Sequence, residues 1–219
     1  MTTLYFSGVG RLHAQYETNG FQSDKFEIED MPEGARFVQD ILHPYGFLTA
    51  LRKATKLKKR GMGHVAIVCS NLIFMCRSKT GRSSSNNFWG NPLFRKVVDS
   101  NCMIQRSIWL IAFMVCAGVR WLVEQPQSSV LRRIPMFEWI PARYDGGERR
   151  LVHGFMGAFG SKTRKPTYWL GDADLISTLD KPLDVSRFQD PTGTVTRLPD
   201  GRVTGNVKAI KATQTYTED

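Results

Sequence analysis

Cysteine is scarce in this chain, and long apolar runs are absent. Only four cysteines occur among 219 residues, and no two form a C-x-x-C pair, so neither a zinc knuckle nor a disulfide framework is indicated. The longest apolar stretch, at 108–119, is shorter than the ~20 residues of a membrane-spanning helix. No secretory signal is seen. We therefore expect no metal site, no membrane partner and an intracellular protein, with the nucleus as one such compartment.

Acidic residues are outnumbered by basic ones. The chain has 30 Lys and Arg against 20 Asp and Glu, which gives a net charge of +10 at pH 7. Such a surplus favours polyanionic partners, such as nucleic acid or a membrane surface, without determining the fold. Hydrophobic residues make up 42% of the chain, enough for a sizeable core.

Hydrophobic periodicity predicts that strands and helices alternate. Strands are predicted at 3–8, 24–30, 64–69 and 118–126, and helices at 10–20, 32–42, 46–60 and 93–117. This order implies βαβ units, and therefore an α/β fold with a doubly wound, mostly parallel sheet. Beyond Leu170 the pattern gives way to loops and small hairpins. We place one domain at 1–180 and an irregular C-terminal extension at 181–219.

Ligands of open α/β sheets bind beyond the carboxyl ends of the strands. After the first strand, Gly8 and Gly10 permit a tight turn against a ligand, but a plain strand–helix turn has the same pattern. His13 stands where a dinucleotide fingerprint has its third small residue. Glu27 ends the second strand, where it can accept hydrogen bonds from ribose hydroxyls or serve as a solvated strand end. Asp40 can accept from an adenine amino group, and a surface aspartate is an equal alternative.

Cys69 and Glu124 end the next two predicted strands. A single free cysteine usually packs as a small hydrophobe. A thiol and a carboxyl on neighbouring strand ends can act instead as a nucleophile and an acid. The segment RSKTGR follows Cys69 and offers Arg77, Lys79 and Arg82 to nucleic-acid phosphates. A second basic run, RKATKLKKR at 52–60, is a further candidate, although such runs are usually solvated helix faces.

Five segments between residues 3 and 170 resemble motifs of cytosine-5 DNA methyltransferases, in the order found in that family. The first segment, LYFSGVGRLHAQYETNGFQSDKFEIED, resembles the family's first two motifs, and QDI at 39–41 resembles its third. The family's catalytic Pro-Cys-Gln corresponds to AIVCSN, and its Glu-Asn-Val corresponds to WLVEQP at 121–126. A later family segment is similar to GAFGSKTRKPTYW at 157–169.

The resemblance implies a Rossmann-like methyltransferase fold that binds S-adenosyl-L-methionine. It implies that Cys69 attacks carbon 6 of cytosine, that Glu124 protonates ring nitrogen 3, and that carbon 5 takes the methyl group. Arg164 and Lys165 would supply charge at the catalytic site. The implied partner is nucleic acid, DNA in preference to RNA, whose target base must leave the stack. The residues implied to line the cofactor are Phe6, Ser7, Gly8, Val9, Gly10, Glu27 and Asp40.

Several positions differ from the family pattern and leave alternatives open. Val68 and Ser70 flank Cys69 where the family has proline and glutamine, and Thr167 replaces an arginine. One alternative is a catalytically degenerate methyltransferase-fold protein that serves as a basic nucleic-acid-binding or assembly subunit. Another is a nicotinamide-dependent oxidoreductase, which His13 disfavours. Few residues follow position 170, so we expect either a minimal version of the family or a fragment that ends at the start of a recognition region.

Overall fold

The computed structural model describes residues 2–5, 11–140, 149–159, 161, 164–184, 195–197, 199 and 203–205. Its main sheet has six strands in the order β2-β1-β3-β4-β6-β5. These strands are β1 (Thr2–Tyr5), β2 (Ser23–Phe26), β3 (Met62–Val65), β4 (Arg120–Pro126), β5 (Arg149–Phe155) and β6 (Pro166–Asp172). The first four are parallel, and β6 is antiparallel to both of its neighbours. The predicted α/β class with a mostly parallel sheet is confirmed.

Helices pack on both faces of this sheet. The helices of the described residues are α1 (Arg11–Thr18), α2 (Pro44–Thr55), α3 (Arg77–Thr80), α4 (Arg95–Cys116), α5 (Pro135–Glu138) and α6 (Ala173–Ile176). A Cβ atom on Gly63 would lie 2.2 Å from Met114 Sδ, so α4 rests directly on that face of β3. Met62 points to the opposite face, because successive strand residues point to opposite sides of a sheet. There the hydroxyl of Tyr16 in α1 contacts Met62 Sδ. Among the described residues, no helix is long and apolar enough to cross a membrane.

The long helix α4 forms the centre of the main core. Its buried residues, which include Val97, Ile104 and Ile111, recur at helical spacing and form one apolar stripe. The helix ends where Gly118 adopts a φ of +67°, a conformation that favours glycine. There the Gly118 and Val119 amides donate to carbonyls of the last helical turn, as in a Schellman motif.

Some element boundaries differ from those that the sequence predicts. The strand expected at 64–69 occupies only Met62–Val65, and the chain from 66 to 69 is irregular. The helix expected at 46–60 is α2, which ends at Thr55. The strand expected at 24–30 ends at Phe26, after which Glu27 caps a 3-10 turn. The expected small hairpin is present as β7 (Val195–Arg197) and β8 (Val203–Gly205).

The strand order marks one edge of the sheet as the place for a ligand. The chain passes from β1 to β2 on one side and then crosses to β3 on the other side of β1. Ligands of open α/β sheets bind at such a reversal, beyond the carboxyl ends of the strands. We call the edge at which β1, β2, β3 and β4 end the carboxyl edge, and the opposite edge the amino edge.

His64 gives the fold a testable pH dependence. It lies in β3 between Leu4 and Leu122, is 6% exposed, and burial lowers its pKa to about 4. In the unfolded chain the same imidazole titrates near 6.5. Between these pH values the unfolded state binds a proton that the folded state excludes. The free energy of unfolding should therefore fall as the pH drops from about 6.5 to about 4, by on the order of 3 kcal/mol.

Urea unfolding at several pH values measures this contribution. His64→Leu should remove the contribution of His64 to the pH dependence in this window, because the unfolded chain then has no imidazole at position 64 to protonate. The matched control is His43→Gln, an exchange at an exposed histidine. An unchanged slope in His64→Leu would contradict the assignment of this pH dependence to His64.

Candidate functional site

Three of the predicted catalytic side chains meet at the carboxyl edge. Glu124, in β4, is 7% exposed, and its Oε1 atom lies 3.5 Å from Lys165 Nζ. The charges of both residues act on the thiol of Cys69, which follows the end of β3. Cys69 is partly buried and does not belong to the fully buried core. The thiol, carboxyl and ammonium groups therefore form one group, the Cys69–Glu124–Lys165 cluster.

Lys165 reaches this position through an unusual backbone conformation. It lies just before β6, which pairs with β4 so that Trp169 is opposite Glu124. Its φ is +36°, and a non-glycine residue in this region costs about 1–3 kcal/mol. Its carbonyl accepts hydrogen bonds from Met156 N, at 3.2 Å, and Thr167 Oγ1, at 2.9 Å. These bonds hold the strained residue that delivers the ammonium to Glu124.

Burial is the main electrostatic effect in the cluster. It raises the pKa of the Glu124 carboxyl, and Lys165 lowers the same pKa by stabilising the carboxylate. It also raises the pKa of Cys69, against the effect of Lys165 and together with that of Glu124. Both groups therefore keep their protons to higher pH than they would in water. This favours a carboxyl that can donate a proton and a thiol that must lose one before attack.

A buried amide fixes the irregular segment that carries Cys69. Gln125, 1% exposed, donates from Nε2 to the Ile67 carbonyl. Its Oε1 accepts from Ser129 Oγ at 2.9 Å, so the amide is itself held in place. The Cys69 carbonyl accepts from Leu72 N at 2.8 Å, which fixes the far side of the segment. Gln125 is a positioning residue that sequence reasoning missed, although an amide within an otherwise apolar strand was an available signal.

The three predicted phosphate-binding residues are placed differently. Lys79 is exposed in α3, and its charge acts on Cys76, which in turn acts on Cys69. Arg77, in the same helix, is half-buried. Arg82 requires a correction, because it is 3% exposed and donates to the Phe88 carbonyl and to Asn101 Oδ1. Its guanidinium holds the loop before α4 and does not face solvent phosphates.

Two of the predicted cofactor residues can be located. Phe6, Ser7, Gly8, Val9 and Gly10 lie outside the described residues. Glu27 directly follows β2 at the carboxyl edge, and its Oε1 accepts from Ile28 N. Its own amide donates to Gln39 Oε1, which brings the segment of Asp40 beside it. One oxygen of Asp40 accepts from Leu42 N. Glu27 thus lies directly beyond β2, with the segment of Asp40 beside it.

Arg164 and His13 are the other residues that the sequence analysis singled out, and both make contacts within the fold. Arg164 is half-buried, and its carbonyl accepts from Gly157 N at 3.3 Å. The side chain of His13 hydrogen-bonds Ser23 and so ties α1 to β2. Within the described residues, no group of three or more His, Cys, Asp or Glu side chains could hold a metal ion.

The electrostatics of the cluster predict how fast Cys69 is alkylated at each pH. Lys165→Met removes a cation that stabilises the thiolate, so the pKa of Cys69 should rise and its alkylation profile should move to higher pH. Glu124→Gln removes a charge that opposes the thiolate, so the profile should move to lower pH. Iodoacetamide labelling of each variant and of wild type, resolved by peptide mass spectrometry, measures the two shifts.

Cys116 provides an internal control for this experiment. It is exposed at the end of α4, so its alkylation profile should be the same in wild type and in both variants. Shifts of equal size at Cys69 and Cys116 would show a general effect and would contradict the cluster.

Gln125→Ala should loosen the Cys69 segment. The substitution leaves the Ile67 carbonyl and the Ser129 hydroxyl without their partner, which should lower the free energy of unfolding by about 1–3 kcal/mol. Cys69 should also be alkylated faster, because its segment opens more readily. The matched control is Gln127→Ala, since Gln127 is exposed. Its backbone amide donates to the Pro166 carbonyl, whereas its side chain has no hydrogen-bond partner among the described residues. Equal alkylation rates in the two variants would contradict the positioning role.

Comparisons with protein families and with curated proteins find no match. The resemblance to cytosine-5 DNA methyltransferases therefore stands on the short motifs quoted above.

Proposed function

We propose that this protein is an S-adenosyl-L-methionine-dependent methyltransferase that acts on carbon 5 of cytosine in nucleic acid, DNA in preference to RNA. The observation that carries the proposal is the Cys69–Glu124–Lys165 cluster at the carboxyl edge. Its members lie far apart in the sequence, in three of the five segments that resemble the family. The mostly parallel sheet is compatible with a Rossmann-like methyltransferase fold, which is part of the proposal.

The cluster supplies the groups that activate a cytosine ring. The Cys69 sulfur forms a bond to carbon 6 as its proton leaves to solvent, and the electron pair of the carbon 5–carbon 6 bond moves towards carbon 5. Glu124 donates its proton to ring nitrogen 3, so the adduct carries no net charge. The raised pKa of Glu124 favours the protonated form that this step needs. Lys165 stabilises the thiolate before the attack and the Glu124 carboxylate after proton donation.

The carboxyl edge also carries groups that suit the cofactor. Glu27 and Asp40 would accept hydrogen bonds from its ribose hydroxyls and its adenine amino group, beyond the end of β2. When bound, S-adenosyl-L-methionine supplies the methyl group that carbon 5 receives. The sheet reverses its strand order at this place, which is where α/β folds bind such ligands.

Nucleic acid would approach the same edge. Lys79 is exposed, and both Lys79 and Arg77 lie in α3, a few residues after Cys69. Because a cytosine within a duplex cannot reach a half-buried thiol, the base must flip out of the stack at a cost of a few kcal/mol. Contacts between α3 and the phosphates would offset part of that cost.

Trapping on nucleic acid that contains 5-fluorocytosine tests the proposed activity. Release of the methylated base requires loss of the carbon 5 proton to solvent and cleavage of the bond between the Cys69 sulfur and carbon 6. Fluorine at carbon 5 leaves no proton to remove, so the covalent adduct should accumulate on DNA in the presence of S-adenosyl-L-methionine. Cys69→Ser should abolish the adduct, because the bond forms through this sulfur. Glu124→Gln should slow trapping by about 100-fold, the usual contribution of a general acid. Denaturing gel electrophoresis measures the adduct.

Controls separate this chemistry from other thiol reactions. Cys76→Ser should still form the adduct, since Cys76 is not the proposed nucleophile. Parallel reactions on RNA decide between the two nucleic acids. If wild-type protein forms no adduct on either substrate, the methyltransferase activity is refuted. A catalytically degenerate nucleic-acid-binding subunit is then the better hypothesis. Titration with a nicotinamide dinucleotide tests the remaining alternative.

A further inference from the structure

A second basic surface lies at the amino edge of the sheet. The chain leaves α2 and turns into β3 through a segment rich in lysine, all of whose basic side chains are exposed. We call this surface the amino-edge basic face, and its members are Arg52, Lys56, Lys58, Lys59 and Arg60. The four residues of β3 separate it from the Cys69 segment, so at ~3.3 Å per residue the two lie about 13 Å apart along the strand direction.

The turn that presents this face is held firmly. Arg60 has a φ of +66°, which is costly for an arginine, although Gly61 follows it immediately. Its amide donates to the Gly118 carbonyl at 2.9 Å. The Arg120 guanidinium donates to the Arg60 carbonyl at 3.0 and 3.2 Å. The stem of Lys59 lies over Gly118, where an added Cβ would be 3.3 Å from Lys59 Cγ. The cations therefore project from a fixed turn.

Charge on this face is not compensated within the part of the chain that the structure describes. The sequence contains no Asp or Glu from residue 41 to residue 98. Lys53, in α2 beside the face, does find a partner, since its Nζ atom lies 2.7 Å from a carboxylate oxygen of Asp24. No member of the face has an acidic partner among the described residues.

A structural role at the end of α2 accounts for only part of this charge. Cations stabilise the last turn of a helix by interacting with its dipole, and Arg52 is in that position. Lys58, Lys59 and Arg60 lie beyond the helix cap at Lys56, and the dipole effect falls off within one turn. The helix therefore gives no reason for three consecutive cations at the tip of the turn.

We infer that the amino-edge basic face binds nucleic-acid phosphates at a place separate from the Cys69–Glu124–Lys165 cluster. Closely spaced cations on a fixed turn match a chain of phosphates and release counterions when they bind it. A membrane surface fits less well, because interfacial segments insert apolar side chains beside their cations. Leu57, the one apolar residue at 56–60, is 7% exposed and packs in the core. The inference goes beyond the proposed function, since it requires no catalysis.

Salt-dependent binding tests this face against the general attraction of a basic protein. The probe is a short fluorescein-labelled DNA duplex, followed by fluorescence anisotropy over a range of salt concentrations. The variant Lys58→Gln/Lys59→Gln removes two cations from the face. The matched control, Arg36→Gln/Lys181→Gln, removes the same charge from exposed positions elsewhere. The face variant should bind more weakly, and its slope of log K against log salt should become shallower by about two, while the control keeps the wild-type slope.

Several results would overturn the inference. The first is an equal loss of DNA affinity in the two double variants, and the second is absence of duplex binding by wild type. The third is binding to phosphatidylserine vesicles that is stronger than binding to the duplex and depends on Lys58 and Lys59. The last result would identify a membrane surface as the partner. Cys69→Ser should bind the duplex with the wild-type slope, because the face does not include the cluster. Failure of 5-fluorocytosine trapping with these slopes intact would remove the proposed activity and leave the face.

Discussion

Burial of the Glu124 carboxyl in a central strand is the constraint on which the candidate site depends. A buried carboxylate is costly unless it is paired, and Lys165 provides the pairing cation at 3.5 Å. Lys165 reaches Glu124 only because the antiparallel strand β6 begins beside it, after a residue held at a φ of +36°. Strain in the backbone and burial of charge thus occur at the same place, as they often do at functional sites.

The Cys69 segment shows how one constraint can stand in for another. The family that the motifs resemble has a proline before the cysteine, and proline would fix the backbone there. Val68 occupies that position and is half exposed, so its side chain does little to fix the segment. Gln125 instead holds the preceding carbonyl, and Ser129 holds Gln125. Two departures from the family pattern, at Val68 and Gln125, are thereby joined physically, because the second supplies the restraint that the first lacks.

Local sequence patterns predicted the helices and strands better than they predicted the contacts between them. The apolar stripe of α4 predicted that helix, and the apolar run of β4 predicted that strand. The order of strands and helices predicted a mostly parallel sheet. The end of β3 at Val65 could not be predicted, because Ala66–Cys69 is as apolar as the strand and its path depends on Gln125 from β4. The burial of Arg82 likewise depends on Asn101, a partner distant in the sequence.

The Lys165 ammonium acts on two acidic groups, Cys69 and Glu124, and this has a consequence for the proposed reaction. Burial raises the pKa of both Cys69 and Glu124, so the resting cluster favours the protonated forms of both groups. Attack needs a thiolate, and proton donation to the ring leaves a carboxylate, so each step creates an anion in a poorly solvated place. Lys165 lowers the pKa of both groups and can stabilise the first anion and then the second. A single ammonium suffices because the two anions arise in succession: the thiolate charge is consumed in the new bond as the carboxylate charge appears.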